Sequence, residues 1–156
     1  MSEERRQPTS VLVVVAAVFL LVAGSLSLAT GAIFGVVGGL VAGLEDVSGA
    51  GTGLFGATGG AVVAYGVAVV TWGILEIFAA AAMIAHRGWG RVLGLAVGAI
   101  GLAFTGLSLA GALGGGEPLA STGIDLVLVA GYGLTVLALA TGGGHFRGAG
   151  RSAPGS

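Results

Sequence analysis

Four long stretches of this chain carry almost no charge, and a water-soluble fold has nowhere to put them. They run from Val11 to Leu44, from about Ala57 to Ala85, from about Val92 to Leu113 and from Leu119 to Thr141. Crossing about 30 Å of hydrocarbon as a helix takes roughly 20 apolar residues. The third and fourth stretches match that length. The first two exceed it, so they must tilt, project beyond the hydrocarbon or break. Composition closes the soluble route: 55% of residues are hydrophobic and 8% charged, whereas a soluble domain carries about 25% charged residues.

Backbone amides in lipid must find their partners within their own segment, which selects helices. The expected fold is all-α: a polytopic membrane protein, a four-transmembrane-helix bundle in which sequence neighbours run antiparallel. Residues 1–9 form a cytoplasmic N-terminal segment and 10–144 the transmembrane domain, with helices at about 10–44, 57–86, 90–113 and 119–141. Residues 145–156 form a flexible cytoplasmic tail.

The arginines set the orientation. Arg5 and Arg6 precede the first helix, Arg87 and Arg91 join the second to the third, and Arg147 and Arg151 follow the fourth. The other two connections hold Glu45, Asp46 and Glu117 and no basic residue. Four crossings put every arginine on one side, which the positive-inside rule makes cytoplasmic. Three or five crossings scatter them over both faces. Both termini are therefore expected in the cytoplasm.

The first stretch allows more than one reading. A single helix runs from about Ser10 through Thr30 and on into Gly31–Gly43, or it breaks near Gly24–Gly31. The third reading is a signal peptide cleaved near Ser27-Leu28-Ala29, a small-x-small site. The length of the apolar run, and the acids Glu3 and Glu4 beside Arg5 and Arg6, favour an uncleaved helix.

Small residues mark the expected helix contacts. Gly31, Gly35, Gly39 and Gly43 recur every four residues, as do Gly90, Gly94 and Gly98, and then Gly106, Ala110 and Gly114. Such spacing gives one face of a helix a groove that lets another backbone approach. The partner is another helix of the same bundle, a second copy or a larger membrane complex.

Glu76 is the most informative side chain. It lies about ten residues from His86, hence about 15 Å into the second helix and near the midplane. A charged carboxylate there costs about 2.5–3.5 kcal/mol on insertion scales. The group must hold a proton or find a hydrogen-bonding partner. Equal depth on the fourth helix falls at Tyr132, with Thr135 one turn nearer the cytoplasm, so Glu76, Tyr132 and Thr135 form the expected intramembrane polar site. Trp72 is read as packing, Tyr65 as lying towards the outer interface, and Asp125 as close enough to that interface for water to reach. Arg87, Trp89 and Arg91 are expected to anchor the second connection among anionic lipid heads, and Phe146 the end of the fourth helix.

Other chemistry finds no support. There is no Cys, so thiolate and disulfide chemistry is excluded. His86 and His145 share no ligand spacing with carboxylates. Gly-x-Ser-x-Gly, Gly-Lys-Ser/Thr and His-Glu-x-x-His patterns are missing, as is any nucleic-acid footprint. No catalytic residue, cofactor or metal is expected.

Across Arg87-Gly88-Trp89-Gly90-Arg91-Val92-Leu93-Gly94 the chain resembles the small uncharacterised four-helix integral membrane proteins of actinobacteria. In these, an Arg-x-Trp-x-Arg turn leads into a glycine-rich third helix. The resemblance implies a multi-pass protein of the bacterial plasma (inner) membrane and supplies no reaction. The expected role is a non-enzymatic accessory or scaffold protein, or a membrane-complex subunit. The alternative is a small proton- or ion-coupled transporter or channel using Glu76.

Overall fold

A computed structural model describes residues 9–48, 54–85, 87–115 and 119–142. Arg5, Arg6, His86, Glu117, His145, Phe146, Arg147 and Arg151, with the tail 145–156, lie outside these residues, as do the side chains of Glu45 and Asp46. The described chain is all-α, with four helices: α1 (Thr9–Ser48), α2 (Leu54–Ile84), α3 (Gly88–Gly115) and α4 (Leu119–Thr141). Each is long and apolar enough to cross a membrane.

The sorting of side chains is the reverse of a soluble protein's. Buried positions are mostly small, among them Ala16, Ala17, Ala79, Ala80, Gly94 and Gly98, while Val, Leu, Ile and Phe point outward on all four helices. Leu107 and Phe104 are 73% and 71% exposed. Apolar groups this exposed are stable only where the surroundings are themselves apolar.

α1 is unbroken from Thr9 to Ser48, so the glycines between 24 and 43 do not interrupt it. At 1.5 Å per residue its 40 residues span about 60 Å. It also passes Glu45 and Asp46, where the sequence reading stopped. Loss of apolarity marks where hydrocarbon ends, not where helical hydrogen bonding ends. α2 closes through the Arg87 amide, which donates to the Ala82 carbonyl at 3.1 Å, and the Gly90 amide opens α3 by donating to the Arg87 carbonyl at 2.9 Å.

The sequence reading treats 10–144 as one domain, whereas packing resolves two compact units. The first comprises the chain up to Leu21 and from Phe78 onward, and thus the start of α1, the end of α2, and α3 and α4. It forms a small four-helix bundle of its own. α3 and α4 run antiparallel, with Gly94 against Leu139, Gly98 against Thr135, Gly101 against Tyr132 and Ser108 bonded to Asp125. Those α3 positions follow the alternating four- and three-residue steps of a coiled-coil seam. The small residue is always on α3 and the larger one on α4. On α1, Val13 packs by Gly142, and the Phe19 ring lies over Gly131 and edge-on to Tyr132, with centroids 5.3 Å apart.

The second unit is Val22–Ile77, a hairpin of the rest of α1 and α2. Gly24 faces Gly73, Gly31 faces Gly66 and Gly38 faces Gly59, and all six are buried. A Cβ built on any of them falls within 2.6–2.9 Å of partner backbone, so here the helices touch main chain to main chain. This is the close approach that drives association in lipid, where dispersion replaces the hydrophobic effect.

The seam corrects part of the glycine reading. Gly39 and Gly43, expected to share a face with Gly31, look onto open space, as does a Cβ built on Gly35, although the Gly35 backbone itself lies against Gly66. Four residues advance a helix by about 40° beyond a full turn, so the row from Gly31 to Gly43 wraps about a third of the way round. A seven-residue step drifts only about 20° and stays on the contact line. Gly106 and Gly114 also have nothing beside them, whereas Gly90 packs on Ala82 and Gly94 on Leu139 and Met83.

Candidate functional site

Glu76 is the one wholly buried ionisable side chain among the described residues. Helical spacing explains half of its environment. Trp72 precedes it by four residues and so lies on the same face one turn away. The indole Nε1–H donates to Oε1 at 3.0 Å. The other half comes from α1, whose Ser27 Oγ–H donates to Oε2 at 3.2 Å. Ser27 is carried there by Gly24 and Gly73, whose contact brings the two backbones together one turn away. A bulkier pair would hold the hydroxyl out of reach.

Chemically, each carboxyl oxygen accepts from a side chain of the same unit. An indole N–H can only donate, so Oε1 is an acceptor whatever the protonation state. The arrangement binds α1 to α2 through a polar group that hydrocarbon could not otherwise satisfy. Sequence reasoning assigned Trp72 to packing, yet its i, i+4 relation to Glu76 was legible. Ser27 had no such signal, because it faces Glu76 only once the helix register is known.

Tyr132 and Thr135, grouped with Glu76 from equal depth, lie on α4. Tyr132 is buried, its ring over Gly101 and against Phe19. Thr135 Oγ1–H donates to the Gly131 carbonyl of its own helix at 2.9 Å, a back-bond that satisfies a hydroxyl in a helix interior. Asp125 accepts from Ser108 Oγ–H at 2.9 Å and so joins α4 to α3. Tyr65 stacks edge-on against Phe34 at 5.2 Å.

The arginine cluster divides into two roles. Arg91 lies against the end of α4, donating from Nε to the Leu139 carbonyl at 2.9 Å and from its terminal nitrogen to the Ala140 carbonyl at 3.1 Å. These are carbonyls of the last helical turn, where a cation also meets the negative end of the helix dipole. The anchor expected of Arg91 is thus a cap between helices. Arg87 and Trp89 remain exposed. Among the described residues no three His, Cys, Asp or Glu side chains converge as metal ligands would.

No protein-family model, curated protein or solved structure matches the chain. The membrane-spanning character rests on four apolar helices, and the role must be argued from the geometry of Glu76.

Proposed function

We propose that this is a non-enzymatic accessory or scaffold protein of the bacterial plasma membrane, with both termini cytoplasmic, in which Glu76 acts as a structural clasp. One observation carries the reading: the carboxyl is fully buried and both its oxygens accept from neighbouring side chains, Trp72 and Ser27. A carrier site must exchange its proton or ion with water on each side in turn. A carboxyl engaged by two donors in a closed helix contact is built to stay where it is. Exposed small residues along α1, such as Gly39 and Gly43, suit close contact with a second copy or another membrane subunit.

The rival is a small proton- or ion-coupled transporter or channel. It is favoured by the mere presence of an acid deep in an apolar helix, where ionisable groups commonly mark pathways. Proteoliposomes under an imposed proton gradient distinguish the two. Wild type and Glu76→Gln should both leave the gradient intact at the rate of empty vesicles. Glu76→Leu, which strands the indole N–H and the serine, should lose about 1–3 kcal/mol of stability. Gradient dissipation by wild type that Glu76→Gln abolishes would establish transport and overturn the scaffold reading.

A further inference from the structure

The end of α2 and the start of α3 frame a groove of about 200 Å³, lined by Phe78, Ala81, Ala82, Ala85, Arg87 and Trp89. Phe78, Ala81 and Ala82 share one face of α2, and Ala85, one residue past its end, continues the i, i+3, i+4, i+7 spacing. The alanines make an apolar floor about 6 Å long, and Phe78 and Trp89 add apolar lining. Arg87 is the one charged residue among its described lining. Unlike that of Arg91, its side chain makes no hydrogen bond or ion pair with any described residue. The first turn of α3 begins at the same place, adding the positive end of a helix dipole.

We propose that this groove holds one anionic phospholipid, an acyl chain along Ala81, Ala82 and Ala85 and the phosphate on the Arg87 guanidinium. Charge and shape select the occupant together. The floor is apolar, as a hydrocarbon chain requires, and the one cation among its described lining residues has no side-chain partner among the described residues. A guanidinium pairs two of its N–H groups with two phosphate oxygens, and an indole beside it sits at the level where membrane tryptophans gather. A zwitterionic lipid carries a cationic choline beside its phosphate and gains less from Arg87. A soluble phosphate would leave the alanine floor uncovered. The site is independent of Glu76 and requires only that the helices lie in a bilayer.

The test uses the full chain in nanodiscs of phosphatidylglycerol and phosphatidylcholine at three to seven, transferred to mild detergent for native mass spectrometry. One phosphatidylglycerol should be retained per protein in preference to phosphatidylcholine. Arg87→Gln should reduce that preference about tenfold, the loss expected for one charge-assisted contact, with helix content and unfolding midpoint unchanged because the Arg87 side chain bonds to none of the described residues. Ala81→Leu, which fills the floor but keeps the cation, should lower retention of both lipids. Equal retention of the two lipids, or undiminished preference in Arg87→Gln, overturns the proposal. So does displacement by millimolar inorganic phosphate, which would make this a site for the free anion. If Ala81→Leu does not fold, the Arg87 comparison decides alone.

Discussion

Replacing Gly31 by alanine should loosen the α1–α2 hairpin, while the same change at Gly39 should not. A Cβ on Gly31 falls 2.7 Å from the Gly66 carbonyl oxygen and 2.7 Å from the Val70 amide nitrogen. Both obstacles are main chain and cannot rotate aside. Ordinary van der Waals contact begins at 3.4 Å, so the helices must part locally by about 0.7 Å. A gap of that size forfeits roughly a quarter to a half of each dispersion contact across it. Overpacking of this kind costs about 1–3 kcal/mol, and alanine's better helix propensity returns at most about 1 kcal/mol. The net effect should be a loss of up to about 2 kcal/mol. Gly39 has nothing within 4 Å, which leaves only the propensity gain. The two substitutions, identical in chemistry and eight residues apart, should therefore differ in sign. Unfolding in mixed micelles, titrated with dodecyl sulfate and followed by far-ultraviolet circular dichroism, measures both. Equal midpoints, or a larger loss at Gly39 than at Gly31, would refute the seam.

Two further outcomes follow from the arginines. Arg91→Gln should cost about 1–3 kcal/mol by releasing the last carbonyls of α4, seen as faster hydrogen exchange over 138–142; Arg91→Lys should restore little, since an ammonium lacks the fork that reaches two carbonyls. Single cysteines placed at residues 2 and 155, in a chain that has none of its own, should both resist a membrane-impermeant maleimide in intact cells and react after lysis; labelling of either end in intact cells would reverse the four-crossing orientation.

The helices were legible because hydrocarbon demands long uncharged runs, and those runs stand out against eight per cent charge. Their ends were less so. Glu45 and Asp46 mark where apolarity stops, yet the α1 backbone continues beyond them. The glycine seam was harder to see, because with 33 glycines in the chain a four-residue period appears alongside the seven-residue one, and only the latter stays on a contact line. Arg91 illustrates a different limit. Its charge and position suit a lipid headgroup as well as they suit α4, and sequence gives no measure of how close the α4 carbonyls come. Glu76 was identifiable as a polar point in an apolar helix. Its tryptophan partner followed from local spacing, but its serine partner depended on how α1 lies against α2.

A glycine seam grips without teeth. Its repeat of seven means that sliding α1 along α2 by about 10.5 Å would bring Gly24 opposite Gly66 and Gly31 opposite Gly59, keeping two of the three glycine contacts. Among the described side chains, the edge-on pair of Phe34 and Tyr65 opposes such a slip. Ser27 opposes it as well: it meets the Glu76 carboxyl in the observed alignment and would lie opposite a residue two turns away in the other. The acid therefore acts as an index mark: a polar group, costly to bury, that favours the alignment in which α1 supplies its hydroxyl.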